Sequence, residues 1–138
     1  MEKTKIKIST NVNSSIDKVW NCWISPEHIV KWNAASDDWH TPTAQNDFKV
    51  GGKCSCRMEA KDGSMGFDFE WVYTEIILHK KIASILLDGR TVDVNFETTT
   101  TGINIVQIFE AEGENPLEMQ QAGWQAILNN FKKYVESN

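Results

Sequence analysis

Hydrophobic and polar residues alternate along most of the chain between Asp47 and Glu112. Alternation with a period of two predicts β-strands that bury one face and expose the other. The turn sequences KDG at 61–63 and DG at 88–89 interrupt the pattern and predict hairpins, which join antiparallel neighbours. An earlier alternating segment, Lys5 to Val12, predicts one more strand. We therefore expect an antiparallel sheet of about six or seven strands with one dry face.

The end of the chain has the periodicity of a helix instead. Between Leu117 and Val135, apolar side chains recur every three or four residues, which places them on one face. Asn115 is the predicted N-cap and Pro116 the first helical residue. A helix from Pro116 to Glu136 would be roughly 30 Å long at about 1.5 Å per residue. A helix of that length can cross a small sheet and cover its dry face.

Two short helices are predicted between the first strand and the rest of the sheet. The first has helical spacing from Ile16 to Trp23, and Ser25-Pro26-Glu27 begins the second. The segment from Asn33 to Asn46 is polar and without clear periodicity, so we predict a loop there. The order of strand, two short helices, consecutive strands and one long helix predicts an α+β layered fold, with residues 1–138 as a single domain.

Composition narrows the function classes. The formal net charge is −5, and no basic run exceeds two residues, so neither nucleic acid nor an anionic membrane surface is an expected partner. No apolar stretch approaches the roughly 20 residues of a membrane span, and the N-terminus lacks the apolar region of a signal peptide. The three cysteines are an odd number, which argues against a disulfide framework. We expect a cytoplasmic protein.

The polar residues do not form a recognisable catalytic or metal motif. His28, His40 and His79 lie in three different segments, and two of the cysteines are Cys54 and Cys56 on one strand face. Their spacings fit buried thiols better than metal ligands, so we expect no metal and no cofactor. Asp37-Asp38 could supply an acid and a base, but a solvated loop is the simpler explanation of the pair. We assign no catalytic residue.

Four segments resemble a known family in the expected order. They are VWNCWISPEHIVKW at 19–32, DFKVGGKC at 47–54, GFDFEWVYTEI at 66–76 and GWQAILNNFKKYVE at 123–136. Together they resemble the START-like, or Bet v 1-like, superfamily, and more narrowly bacterial homologues of the Hsp90 ATPase activator (AHSA1-type, SRPBCC). The resemblance implies a helix-grip fold, in which a curved antiparallel sheet wraps around the long C-terminal helix. Many relatives hold a hydrophobic cavity between sheet and helix.

Alternation and the helical face then indicate which residues of this chain would face such a cavity. They are Met58, Phe67, Phe69, Trp71, Tyr73, Val94, Phe96, Ile105, Gln107, Trp124, Ile127, Leu128 and Phe131. The same residues could simply pack as a core, and the two interpretations stay open here. Gln107 is the polar exception, and it either orients a ligand or satisfies a backbone group. Gly123, in mid-helix, is interpreted as tolerated at a crowded helix–sheet crossing.

Three functions are compatible with these features. The first is a non-enzymatic carrier or sensor of a small hydrophobic, lipid-like or aromatic polyketide-like molecule. The second is a cyclase- or hydrolase-like enzyme for such a ligand, which would need an acid or base in the cavity; Tyr73 and, at the strand end, Glu75 are the available groups. The third is a chaperone-associated stress-response module. A homodimer through a strand edge, or through the loop after Trp32, also remains open.

Overall fold

A single curled sheet and three helices make up the part of the chain described by our computed structural model, residues 4–138. The elements in chain order are β1 (Lys5–Val12), α1 (Ile16–Ile24), α2 (Pro26–Trp32), β2 (Trp39–Asn46), β3 (Lys53–Ala60), β4 (Gly66–Ile77), β5 (Lys81–Leu86), β6 (Thr91–Thr99), β7 (Gly102–Glu110) and α3 (Leu117–Glu136). The seven strands are antiparallel in the order β1-β7-β6-β5-β4-β3-β2. The predicted α+β helix-grip fold is confirmed.

Cross-strand pairing aligns the inward-facing residues into rows across the sheet. One row runs from Phe109 of β7 through Val92 and Ser84 to Tyr73 of β4. The neighbouring row contains Gln107, Val94 and Ile82. Because side chains alternate between the two faces, both rows project towards the same concave side of the sheet. These rows form the floor beneath α3.

The segment predicted as a loop at Asn33–Asn46 is partly a strand. β2 occupies Trp39–Asn46 and pairs only with β3, and its register shifts between His40 and Thr43. β2 is an edge strand with Thr41 as its one fully buried residue, so it has no alternating hydrophobic pattern to detect. Its pairing depends on the neighbouring strand, which a local pattern does not reveal. The loop prediction was therefore wrong over these residues.

The N-terminus of α3 also differs from the prediction. The helix begins at Leu117, and the carbonyl of Pro116 accepts hydrogen bonds from the first turn. Asn115 does not cap it, because its side-chain amide donates to the carboxylate of Glu112. The side-chain amide of the buried Gln120 donates to the Asn115 carbonyl (2.7 Å) and so holds the preceding loop against the helix. The predicted N-cap was wrong, although the helix itself ends at Glu136 as expected.

One end of the interface between α3 and the sheet is filled by aromatic rings. The ring of Phe131 lies 4.8 Å from Trp23 and 4.9 Å from Trp32, both in edge-to-face contact. Trp23 also makes an edge contact with Phe96 on β6 (5.7 Å). The indole of Trp32 donates to the buried carbonyl of Cys22 (3.0 Å). This closed aromatic core anchors α1 and α2 against α3.

The helix α3 lies along β1, at one edge of the sheet. Gln125 donates to the carbonyl of Ser9 (3.1 Å), and Lys132 donates to the carbonyl of Asn11. The carboxylate of Glu136 accepts from the backbone N–H of Asn13 (2.8 Å). Side chains of α3 therefore satisfy backbone groups on the free edge of β1. Within residues 4–138, no helix is both long and apolar enough to cross a bilayer.

Candidate functional site

A cavity of about 290 Å³ lies between α3 and the strands distant from β1. Its wall consists of residues from the two short helices, from the sheet and from α3. The lining residues are Trp23, Ile29, Trp32, Asn33, Ala35, Met58, Phe67, Phe69, Trp71, Tyr73, Ile82, Ser84, Leu86, Val92, Val94, Gln107, Gly123, Trp124, Ile127 and Leu128. This volume is at the lower end of the roughly 300–1,000 Å³ typical of small-molecule sites.

The space exists because the sheet curls away from the helix. The backbone of α3 packs closely on β1 and the two short helices, whereas β3 to β6 lie further from it. Gly123 faces this gap, since nothing lies within 4 Å of the position that a Cβ would occupy there. The prediction of a crowded crossing at Gly123 was therefore wrong. The absent side chain leaves part of the cavity open.

Aromatic rings form the outer wall of the cavity. Phe69 lies in edge-to-face contact with Trp71 (5.6 Å) and with Trp124 of α3 (6.1 Å). On its other side Trp124 stacks on Phe109 at 4.0 Å with the rings 11° apart, so one indole face is already covered. Phe67, at the end of the row, is 45% exposed. Ring edges and faces therefore border the cavity from the sheet and from the helix.

The cavity adjoins a surface groove near the N-terminus of α3. The groove shares Phe67, Phe69, Leu86 and Trp124 with the cavity and extends outward past exposed Leu87 and Met119. Apolar side chains at a cavity rim are suited to guiding an apolar molecule inward. A larger, open groove of about 610 Å³ adjoins this surface groove, with which it shares Asp88, Arg90 and Glu112, so charged side chains lie beyond the apolar rim.

The polar groups in the cavity wall differ in their hydrogen bonding. The hydroxyl of Tyr73 donates to Asn46 (2.7 Å), and burial raises the pKa of Tyr73. Ser84 and Gln107 are only 8% and 9% exposed, yet neither side chain hydrogen-bonds to any residue between 4 and 138. No lining residue carries a charge or an imidazole. The cavity wall is thus uncharged, and the side chains of Ser84 and Gln107 have no partner in it.

The residues predicted to face the cavity all line it except Phe96, Ile105 and Phe131. Phe96 and Phe131 belong to the closed aromatic core, and Ile105 is fully buried. All three face inward, as predicted, but they lie where the helices pack directly against the sheet and leave no open space. Whether the lining residues bind a ligand remains a prediction.

Sequence reasoning missed part of the wall. Trp23, Ile29 and Trp32 belong to the short helices, whose orientation towards the cavity depends on how they pack. Ser84 was detectable, because it lies between Ile82 and Leu86 on the inward side of β5. It was missed because a polar residue in a mostly apolar strand does not stand out as inward-facing.

The other chemical groups singled out in the sequence lie outside the cavity wall. The thiols of Cys54 and Cys56 are buried, and the hydrogen bond between them lowers the pKa of Cys54 and raises that of Cys56. Asp37 and Asp38 are exposed in the loop before β2. His28 contacts the hydroxyl of Tyr134 at 2.7 Å. Among residues 4–138, no three potential metal ligands lie together.

The amino-acid sequence matches the model of one known protein family. The model of the family described as "Activator of Hsp90 ATPase homolog 1-like protein" matches residues 13–136. The chain belongs to this AHSA1-like family. The resemblance inferred from the four segments is therefore confirmed. A search of curated proteins finds no match to the chain.

Solved structures of AHSA1-like and related proteins support the same assignment. The solution structure of an AHSA1-like protein from Aeromonas hydrophila is 43% identical, with a TM-score of 0.92, over 97% of this chain and 93% of that one. A Cytophaga hutchinsonii protein is 48% identical, with a TM-score of 0.81, over 99% and 93%. A Nitrosomonas europaea protein, 15% identical with a TM-score of 0.83 over 96% and 94%, shares the fold.

Proposed function

We propose that this AHSA1-like protein binds a small hydrophobic molecule in the cavity between the sheet and α3, as a non-enzymatic carrier or sensor. The supporting observation is the partly enclosed space of about 290 Å³ under α3, bordered mainly by aromatic and aliphatic side chains. Transfer of apolar surface from water into such a site is favourable by about 25 cal/mol per Å². The groove beside the N-terminus of α3 supports an entry route, because its apolar residues continue into the cavity, while charged residues such as Glu70 and Arg90 also border it.

The polar groups favour binding over catalysis. Cyclase- or hydrolase-like chemistry requires an acid or a base that can reach the ligand. The Tyr73 hydroxyl already donates to Asn46, and burial raises the pKa of Tyr73, so this group is protonated at neutral pH. Glu75 pairs with Lys81 (2.7 Å) and does not belong to the cavity wall. No carboxylate or imidazole of residues 4–138 lines the cavity.

The tryptophans supply a direct readout. Trp23, Trp32, Trp71 and Trp124 line the cavity, so a bound molecule should change the fluorescence or raise the thermal midpoint of the protein. We expect at least one class in a panel of lipids and aromatic metabolites to produce a saturable change. No response from any class would contradict the proposal.

A variant that fills the cavity makes the test specific. Gly123→Leu places its side chain in the open space and also improves helix propensity, so we expect a folded protein. Its ligand affinity should fall at least tenfold, or about 1.4 kcal/mol. Ala122→Leu is the matched control, since it adds the same side chain at the neighbouring exposed position. Equal affinities in the two variants would place the ligand elsewhere.

The cell compartment and the macromolecular partner are separate proposals. The three cysteines are free and buried, which is compatible with the reducing cytoplasm that we propose as the location. Association with an Hsp90-type chaperone stays a prediction. A pull-down against the chaperone of the same cell tests it, and the absence of a complex would exclude it.

A further inference from the structure

Two polar side chains in the cavity wall lack the partners that buried polar groups normally have. Gln107 is on the inward face of β7 between Ile105 and Phe109, and Ser84 is on the inward face of β5. Neither makes a side-chain hydrogen bond to any residue of 4–138. By contrast, Tyr73 and Gln120, which are buried to a similar degree, are both hydrogen-bonded.

These unpartnered groups border open space rather than tightly packed atoms. Among residues 4–138, every side-chain nitrogen or oxygen that is fully enclosed has a hydrogen-bond partner. Ser84 and Gln107 lack one, so their polar atoms must be accessible, and both residues line the cavity. Buried donors and acceptors are nearly always satisfied, because leaving them unpaired is costly. The cavity wall therefore presents an amide and a hydroxyl that a molecule in the cavity can reach.

The absence of charge in the wall limits what that molecule can be. The wall contains no Lys, Arg or His, so an ionised ligand would lose its hydration without gaining a counter-charge. Free fatty acids and other carboxylates are therefore disfavoured. An amide can donate and accept, and so can a hydroxyl, so both suit a neutral hydroxyl or carbonyl group.

The positions of the two groups suggest how such a ligand would lie. Gln107 pairs with Val94, and Ser84 pairs with Val92, so the two polar side chains are in neighbouring rows two strands apart. Two strand spacings of about 4.8 Å, combined with an offset of two residues at about 3.4 Å each, separate the two groups by roughly 12 Å across an apolar floor. Trp124 on α3 and Phe69 on β4 border the same space and favour flat rings.

We propose that the ligand is an uncharged, ring-containing molecule whose hydroxyl or carbonyl groups are recognised by Gln107 and Ser84. This rests on the proposed function, because it assumes that the cavity takes a ligand. It goes further by naming the chemical class and the two side chains that select it.

A set of three probes with one ring system tests the proposal: naphthalene, 2-naphthol and 2-naphthoate, titrated at neutral pH and followed by NMR of the ¹⁵N-labelled protein. A net hydrogen bond of about 1 kcal/mol predicts that 2-naphthol binds roughly five- to tenfold tighter than naphthalene. The anion 2-naphthoate should bind at least tenfold more weakly than naphthalene.

Three variants assign the preference to its side chains. The single hydroxyl of 2-naphthol reaches one of the two side chains at a time. The variant that removes this side chain, Gln107→Leu or Ser84→Ala, should therefore lower the ratio of 2-naphthol to naphthalene affinity, and the double variant should bring the ratio to about one while naphthalene still binds. Gln121→Leu, at an exposed position of α3, is the control and should leave the ratio unchanged. Urea unfolding without any probe gives a further measurement. Gln107→Leu should not lower the urea midpoint, because the Gln107 amide makes no hydrogen bond that the substitution would remove.

The results separate this inference from the function on which it rests. Equal binding of naphthalene and 2-naphthol, tighter binding of 2-naphthoate, or an unchanged ratio in the double variant would overturn the neutral-ligand inference, while cavity binding would stand. A response to none of the three probes, nor to the broader panel, would overturn cavity binding and this inference with it. If Gln107→Leu unfolds, its amide is structural and the inference fails, whatever Ser84→Ala shows.

Discussion

The two ends of the interface between α3 and the sheet are built from the same kinds of residue, but one end is densely packed and the other contains a cavity. At one end, Phe131 is fully buried against Trp23 and Trp32, and these two rings also form the boundary with the cavity. At the other, Phe69 and Trp124 border a cavity of about 290 Å³. Aromatic content and alternation are alike at both ends. The difference arises from where the helix backbone contacts the sheet, which it does along β1 and the short helices but not over β3 to β6.

The comparison teaches that residue type alone does not distinguish a core from a binding cavity. A ring contributes to stability in proportion to the neighbours that surround it. Phe131 is surrounded on every side, whereas the rings that line the cavity, including Trp23 and Trp32, have an open side. Stability and binding are therefore expected to depend on different ends of the molecule.

The largest expected effect is a loss of stability on truncating Phe131, and comparing it with Phe69 tests whether stability depends on the packed end. Phe131→Ala should lower the free energy of unfolding by about 3–5 kcal/mol, because it opens a void in a fully packed cluster. Phe69→Ala should cost less than about 2 kcal/mol, because its ring is partly exposed and already borders open space. Urea unfolding of both variants measures the difference. Equal losses would show that the two ends are packed alike.

Two glycines give the next contrast. A Cβ on Gly102 would lie 2.2 Å from the carbonyl oxygen of Val12, and its φ of 132° disfavours other residues. Gly102→Ala should therefore destabilise the protein by about 1–3 kcal/mol. Gly123→Ala should instead stabilise it by up to about 1 kcal/mol, because a Cβ meets open space there and helix propensity improves.

Thermal or urea unfolding of the two alanine variants should move the midpoint in opposite directions. A loss of stability at Gly123 would mean that the helix lies closer to the sheet than the structure shows. That result would also remove the space on which ligand binding depends.

The smallest expected effect concerns the attachment of α3 to β1. The N–H of Asn13 and the ammonium group of Lys132 lower the pKa of Glu136. A lowered pKa in the folded state means that the carboxylate stabilises the protein at neutral pH, and that this contribution is lost as the pH falls through the folded-state pKa. Glu136→Gln should cost about 0.5 kcal/mol or less at neutral pH, since the pair is partly exposed.

The pH profile separates this electrostatic contribution from packing. The stability difference between the original chain and Glu136→Gln should narrow as the pH falls below the ordinary Glu pKa and through the lowered folded-state pKa of Glu136. Glu97→Gln, at an exposed position of β6, is the control. A difference that stays constant with pH would assign the effect of Glu136 to shape rather than charge.

The amino-acid sequence alone determined the features that depend on local periodicity. Alternation from Asp47 onward identified the inward face of the strands, and the apolar spacing of α3 identified its buried side. Periodicity therefore predicted the α+β layered fold, and the resemblance of four segments to a known family added the helix-grip architecture, confirmed here. Half of the residues that line the cavity were predicted. It did not reveal β2, whose pairing with β3 leaves no alternating pattern.

Only the tertiary structure decided which inward residues border space. Periodicity specifies the face on which a residue lies, but not the distance between two layers at that point. Phe131 and Leu128 are on the same side of α3, yet only Leu128 reaches the cavity, because α1 and α2 close the interface beside Phe131. The lack of hydrogen-bond partners for Gln107 and Ser84 likewise depends on which residues from distant parts of the chain surround them. Contacts between distant segments are the physical reason why the cavity became visible only in the folded molecule.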